Sequence, residues 1–539
     1  MANFDPSDTS DRLTCIHTSL TCRSFSEPAL RRLWHTLDSL LPLENIILPF
    51  YQPFHAVLRE RPRMLSRDSE PRQDHAEKII STSAYSNEAK LERLRICAAR
   101  VESLVFKTTL EPSEFVLLLD LALLAGAPIF PRLKKLHYRL RWHARETELP
   151  FAFSSSLEEL SLTSITEEDK HRTPPLIAAF IKHCPQISRF ALTMMPGYFP
   201  DRLAKTWQAV SGFSHLRHLT TSYAPTPVIL IQIATRRSTI ETIECEYVDS
   251  PYTEPAPLPL SPPVRTTQLT VLKLGGPKAG IDAILQSVLA PRLTHLHLDV
   301  PQMTDTRVLH TVASLPLARS LRTLSLVLDS GRFWQYRFPL SLSHLLRPLR
   351  TISQLAEVSI TITSCTEVTA TDGDFHALAH AWPLLRRLRL VYINRDDVHW
   401  GAQPIETLYG HTHTHAAATL SALRHFARGC PALETLELDM LEARLDAGLE
   451  GGDSVAGASA SALAVLQVWA DDRGARDEER PNALQVARFV DGLFPQLDLR
   501  QSWIRDTRGV GGDVWEKMEG LRQGGEVDCL AVSAMSVSS

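Results

Sequence analysis

"LTHLHLDVPQMTDTRVLHTVASLP", residues 293–316, decides how this chain folds. Its first six residues read apolar-x-x-apolar-x-apolar. The last four of these alternate apolar with polar, as a strand with one buried face does. A polar loop then leads into a helix, for which Thr304 or Asp305 is a candidate cap, accepting a hydrogen bond from a free backbone N–H.

The same six-residue phrase returns along the chain. Clear copies are "LEELSL" (157–162), "LTVLKL" (269–274), "LRTLSL" (321–326), "LRRLRL" (385–390) and "LETLEL" (433–438). Looser copies are "VESLVF" (101–106), "LKKLHY" (133–138), "ISRFAL" (187–192), "LRHLTT" (216–221), "IETIEC" (240–245), "LAEVSI" (355–360) and "LAVLQV" (463–468). The starts lie 24 to 34 residues apart, with one gap of 48 that holds "INRDDVHWGAQPIETLYGHTHTH" (393–415). Between copies lie amphipathic helical patterns, such as "LIAAFIKHC" (176–184), "IDAILQSVLA" (281–290), "FHALAHAW" (375–382) and "LSALRHFARGC" (420–430). Several of these run into a proline just before the next strand: Cys184-Pro185, Ala290-Pro291, Trp382-Pro383 and Cys430-Pro431. Proline cannot continue a helix and disfavours the α region for the residue before it. The repeating unit is strand, loop, helix, proline, strand. Such a unit buries its apolar face only against its neighbours.

These residues resemble the cysteine-containing leucine-rich repeat, although no copy carries an asparagine at the loop position after the strand. The resemblance implies an α/β fold: an irregular leucine-rich repeat solenoid, with parallel strands on the concave face and helices on the convex face. The array is expected over 96–500, followed by a partly disordered C-terminal tail at 501–539. The glycine-rich "RGVGGD" (508–513) reads as a flexible turn.

Ahead of the array, "LTCIHTSLTCRSFSEPALRRLWHTL" (13–37) resembles the later helices of an F-box motif, in the style of fungal members. The matching residues are Leu20, Cys22, Arg23, Phe25, Ala29, Leu30, Leu33 and Trp34. "FDPSDTSDRL" (4–13) stands where that family places a first helix opening on Leu-Pro. On this reading 1–45 is a partial F-box-like helical segment and 46–95 a linker and helical connection. A helical hairpin capping the first repeat is the alternative, since terminal repeats need a polar outer face.

Strand alternation fixes which side chains face outward: Glu159, Ser161, Arg189, His218, Lys273, His295, His297, Thr323, Ser325, Arg387, Arg389, Thr435 and Glu437. Curved arrays present such residues as extended binding surfaces. The expected occupant is a target protein, with Arg387 and Arg389 meeting an acidic patch on it. By resemblance the chain would be the substrate-recognition subunit of an SCF-type ubiquitin ligase, joined to the SCF adaptor subunit through its N-terminal segment. It would perform no chemistry and need no cofactor. A leucine-rich repeat scaffold without adaptor binding is the rival.

Composition narrows the rest. The chain has 539 residues, too many for one ordinary core, of which 44% are hydrophobic and 22% charged. A net charge of −4 gives no case for nucleic acid or an acidic membrane surface. The basic run "LRERPRMLSR" (58–67) is broken by Pro62 and reads as an exposed linker. The most apolar run, "FVLLLDLALLAGAPIF" (115–130), contains Asp120 and is short for a bilayer. The eight cysteines form no C-x-x-C pair, and with no secretory signal in view they read as buried thiols of a cytoplasmic or nuclear protein. His411, His413 and His415 alternate as zinc ligands could, but no carboxylate or cysteine ligand lies beside them, so no metal site is assigned. The phosphate-binding, zinc-protease and nucleophile-elbow motifs are absent.

Overall fold

The computed structural model describes residues 9–21, 23–39, 42–43, 46, 88–106, 128–139, 152–165, 173–194, 204–224, 226–237, 239–249, 263–301, 306–315, 319–329, 340–364, 368–394, 418–442, 462–471, 483–506 and 510–523. The chain divides into two compact units, Met1–Pro225 and Thr226–Ser539.

The first unit opens with helices α1 (Thr9–Thr21) and α2 (Arg23–His35), packed on each other as a hairpin. Strand β1 (Thr36–Leu37) follows, then α3 (Glu88–Ala98), β2 (Ser103–Val105), β3 (Lys135–Arg139) and β4 (Glu159–Ile165). Helix α4 (Thr173–His183), β5 (Arg189–Met194), α5 (Ala204–Val210) and β6 (His218–Thr221) complete it. Strands β1 to β6 pair in chain order, every pair parallel.

The second unit repeats this scheme. It runs α6 (Pro227–Arg236), β7 (Thr242–Cys245), β8 (Val271–Gly275), α7 (Lys278–Ser287), β9 (His295–Val300), α8 (Arg307–Ser314) and β10 (Thr323–Asp329). Next come α9 (Leu342–Leu346), β11 (Glu357–Ser364), α10 (Asp372–Ala381), β12 (Arg387–Asn394), α11 (Leu423–Gly429) and β13 (Thr435–Glu442). It ends with β14 (Val465–Asp471), α12 (Ala483–Leu493), β15 (Trp503–Asp506) and α13 (Val510–Arg522). Strands β7 to β15 again pair parallel and in order.

The register explains the six-residue phrase. Ile243, Leu272, Leu296, Leu324, Val358, Leu388, Leu436 and Leu466 are mutual partners across the second unit's sheet. A second row, two residues on, runs Cys245, Leu274, Leu298, Leu326, Ile360, Leu390, Leu438 and Val468. No member of either row is more than 3% exposed. Full burial of one such side chain contributes about 1.5–3 kcal/mol, so these two rows are the main cohesive element of the sheet.

The approach to each strand is equally regular. Phe130, Cys184, Ala290, Trp382, Cys430 and Phe494 are each 0% exposed, and each is followed by proline. The carbonyl of each accepts the N–H of the residue three further on: Leu133, Ile187, Leu293, Leu385, Leu433 and Leu497. This is a β-turn with proline at its second position, where the ring pre-sets the required φ. One residue past the turn, a single carbonyl accepts two successive N–H groups of the next strand. Thr294 O takes Arg322 N and Thr323 N, both at 2.9 Å, and Arg322 O takes Ala356 N at 2.8 Å and Glu357 N at 3.0 Å. In the first unit Glu158 O takes Ser188 N and Arg189 N in the same way, at 2.9 and 3.0 Å.

Some features differ from the sequence reading. The stretch 501–539, expected as a tail, carries a further strand and a helix. Its glycines at 511 and 512 lie inside α13 rather than in a flexible turn. Arg522 explains why that helix stays put: its Nε donates to Asp491 Oδ1 at 2.7 Å, and its Nη1 to Leu497 O at 2.8 Å. Met518 and Val514 are buried beneath it. Thr304 and Asp305 lie outside the described residues; the residue at the cap of α8 is Thr306, which makes no side-chain capping bond. A complete capping box instead opens α10. Thr371 Oγ1 accepts Asp374 N at 3.3 Å, and Asp374 Oδ2 accepts Thr371 N at 2.9 Å. Gly275 is required where β8 ends, because a Cβ there would overlap the Glu246 carbonyl oxygen.

Leu324→Ala, in the middle of the first apolar row, is expected to lower stability by about 2–5 kcal/mol. Thr323→Ala beside it, on the outward face, is expected to stay within about 0.5 kcal/mol of wild type. Urea denaturation of the two variants reads the difference.

Candidate interaction surfaces

Among the described residues, exposed side chains gather on the outward face of each sheet and on the outer face of the α1–α2 hairpin.

On the second unit's sheet the outward side chains lie one strand apart and pair across the strands. Lys273 Nζ meets Glu244 Oε1 at 2.7 Å, and Arg389 Nε donates to Glu437 Oε2 at 2.9 Å. Arg387 Nη1 lies 3.5 Å from Glu357 Oε1. The Arg387 and Arg389 charges, expected to meet an acidic patch on a target, are thus balanced by glutamates of this chain's own neighbouring strands. His297 Nδ1 and Ser325 Oγ share a hydrogen bond of 2.8 Å, and His295 Nδ1 pairs with Thr294 Oγ1 at 2.8 Å. Burial lowers the His297 pKa and raises that of Asp299 on the same strand. Thr323 and Thr435 are half-buried on this face. Asp439, two residues past Glu437, accepts the Tyr392 N–H at 3.2 Å. Burial pushes its pKa up to about 7; the Tyr392 hydrogen bond works against this and the Glu437 charge adds to it.

The first unit's outward face is arranged differently. One carboxylate, Glu159, faces three bases: Lys135 Nζ at 3.4 Å, His137 Nε2 at 3.4 Å and Arg189 Nη1 at 4.0 Å. Ser161, beside His137 in register, is buried, and His218 is half-buried on the next strand but one. At the sheet's lower border Lys134 Nζ donates to Glu102 Oε2 at 2.7 Å, holding that carboxyl below its usual range.

The hairpin has an inner and an outer side. Cys15 and Ala29 are buried on the inner side, at 5% and 0% exposure. Arg100 clamps the hairpin to the end of α3 through both oxygens of Glu27, at 3.2 and 2.6 Å. These hydrogen bonds hold the Glu27 carboxyl below its usual range. The outer side exposes four large apolar residues among polar ones: Leu13 is 51% exposed, Ile16 39%, Leu20 78% and Phe25 53%. Leu13, Ile16 and Leu20 follow helical spacing and so share one stripe of α1. Leu30, Leu33 and Trp34 are half-buried, so truncating Trp34 removes less packing than a core tryptophan would lose. Cys22 and the Arg23 side chain lie outside the described residues. Sequence reading picked Leu20 and Phe25 but passed over Leu13 and Ile16, which the i, i+3, i+7 spacing from Leu13 to Leu20 marks out.

Among the described residues no three His, Cys, Asp or Glu side chains are placed to hold a metal ion, and His411, His413 and His415 lie outside them. No described helix is long and apolar enough to cross a membrane. Cys184 and Cys430 are buried thiols whose pKa burial pushes up to about 12, which leaves almost no thiolate for nucleophilic chemistry. On the helix side, His376 of α10 meets the half-buried His425 of α11 edge to face, with ring centroids 4.8 Å apart. Burial, reinforced by the His376 charge, lowers the His425 pKa.

No protein-family model and no curated protein sequence matches the chain.

The Asp439 carboxyl gives a pH prediction with a definite sign. Its pKa is about 7 in the folded chain against an ordinary value of 3.8. The folded state therefore binds the extra proton between those values, and this contribution to stability is lost as pH rises through about 7. Asp439→Asn keeps an oxygen for the Tyr392 N–H and carries no charge. It is expected to be more stable than wild type by on the order of 2 kcal/mol at about pH 8, with the advantage vanishing near pH 4. Denaturation midpoints at the two pH values measure it.

Proposed function

We propose that the chain is an F-box-like substrate-recognition subunit of an SCF-type ubiquitin ligase. In this reading the stacked parallel strands are the rungs of an irregular leucine-rich repeat solenoid. Their outward face takes the target, and the α1–α2 hairpin takes the SCF adaptor subunit. The chain performs no chemistry. It raises the effective concentration of target beside the ligase machinery, as tethering does for any two linked partners.

One observation carries the reading: the apolar stripe of Leu13, Ile16, Leu20 and Phe25 on the outer face of a short helical hairpin that leads directly into the first strand. A cap that served only to close the end of a repeat array would present a polar outer face. A stripe with one leucine 78% exposed is instead what a helix-in-groove contact uses. The resemblance of two of these residues, Leu20 and Phe25, to those of the later F-box helices points to the SCF adaptor subunit as the partner. Buried thiols such as Cys97, Cys184 and Cys430 fit a cytoplasmic or nuclear setting.

The test is co-purification of the full chain with recombinant SCF adaptor subunit. Wild type is expected to capture it, and Leu20→Asp/Phe25→Asp to lose roughly tenfold or more in affinity, as anchors of such a contact do. Because both side chains are exposed, the variant is expected to unfold at the wild-type temperature. Failure of the wild-type chain to capture adaptor would leave the scaffold reading in possession of the field.

A further inference from the structure

We infer that the outward sheet face of the first unit is a docking surface for an extended acidic segment, rich in Asp and Glu, of the target protein. This rests on the proposed role of the sheet faces in target binding and gives that target a chemistry.

The inference comes from an imbalance of charge that pairing across the strands leaves unresolved. Among the described residues of β2 to β6, the outward positions hold Lys135, Arg139 and Arg189, with His137 and His218, against the single carboxylate of Glu159. Glu159 lies low on the face, its side chain 22% exposed, while Lys135 stands above it at 53% and Arg189 at 58%. One carboxylate shared by three bases can neutralise only one of them, and the ammonium and guanidinium groups are the ones a partner meets first.

The second unit shows that this imbalance is specific to the first. Three basic side chains of that sheet face each have their own glutamate: Lys273 with Glu244, Arg387 with Glu357, Arg389 with Glu437. Asp299 and Asp329 add further carboxyl groups at outward positions of the same sheet. An acidic segment meets repulsion there and attraction on the first unit, so electrostatic complementarity selects one face.

The number of charges separates a peptide from a nucleic acid. Three outward Lys/Arg and one carboxylate fall short of the roughly 6–10 phosphate contacts of a typical nucleic-acid interface. They suffice for a short acidic segment. An extended chain repeats same-side residues every ~6.8 Å and the strands beneath are ~4.8 Å apart. Flexible Lys135 and planar Arg189, two strands apart, can therefore each take a separate carboxylate, the arginine in bidentate fashion.

The experiment measures fluorescence anisotropy of a labelled peptide alternating Glu and Ser, titrated with full-length protein, beside the same peptide with Gln for Glu. The Glu peptide is expected to bind at low salt and to weaken as salt rises, as exposed charges do. Lys135→Glu/Arg189→Glu is expected to weaken it roughly tenfold. The milder Lys135→Gln/Arg189→Gln should give a smaller loss in the same direction, which guards against a folding defect. Lys182→Glu/Lys205→Glu makes the same change in net charge on helices α4 and α5 and is expected to leave binding unchanged. Four results each overturn the inference: no binding of the Glu peptide, equal binding of the Gln peptide, equal losses from the sheet and helix variants, or preferential binding of a single-stranded oligonucleotide. Adaptor capture by the Lys135/Arg189 variants is expected to equal wild type. Its failure in wild type would remove the ligase reading and leave the peptide result standing.

Discussion

A backbone carbonyl that accepts two successive N–H groups from the next strand sets the repeat. Glu158 O does this for Ser188 and Arg189, Thr294 O for Arg322 and Thr323, and Ala356 O for Arg386 and Arg387. The bond pair fixes where each strand begins relative to its predecessor. With that point fixed, the apolar residues one and three positions further on must fall into rows. A register slip of one residue would carry a whole row to the solvent face. The proline turn before it, with its buried leading residue and its bond back from the third residue on, delivers the chain to this point at the correct angle. Everything between the end of one strand and the next proline is then free to vary. That is why the spacing of copies drifts from 24 to 34 residues and tolerates one interval of 48 without loss of the ladder. Loop closure becomes only slowly more costly with length, so the long insertion is cheap once both its ends are held.

The same logic separates what could be read from the chain and what could not. "LRTLSL" and "LETLEL" announce strands because their alternation is local and their proline or polar approach is short. The last strand was passed over because "SWIRD" (502–506) has no leucine phrase of its own: the chain makes an extra turn at Asp498–Gln501 first, and Ser502 Oγ accepts the Leu466 N–H where a backbone carbonyl would otherwise serve. Helix α13 then depends on Arg522 reaching carbonyls near 494–497, a contact between segments more than twenty residues apart that no periodicity encodes. The outward-facing residues were legible, since period two assigns them. Their partners were not: Arg389 and Glu437 are separated by 48 residues, and only the register brings them within 2.9 Å.

Pairing across the strands also changes the meaning of a charged face. Read along one strand, Arg387 and Arg389 look like a basic hook. Read across the strands, each meets a glutamate of a neighbouring strand, Glu357 and Glu437, in a solvent-facing pair worth little energy. Such pairs cover a sheet face with charge without building a strong field. Where the charges fail to pair one to one, as around Glu159, the surplus charge is the informative feature. A few exposed lysines elsewhere on the helices carry no such weight, because nothing holds them at a regular spacing.

The hairpin poses the remaining physical question. Leu20 and Phe25 gain nothing for the isolated chain by standing in water, and a polar residue at either position would serve the fold equally well. Their inner-side neighbours, Cys15 and Ala29, already supply the packing, and the Arg100–Glu27 clamp already fixes the orientation. A surface that is held rigidly from behind and left apolar in front has its ordering cost met before any partner arrives. That combination, more than apolarity alone, is what the proposed docking role of the hairpin rests on, and scattered exposed leucines such as Leu384 lack it.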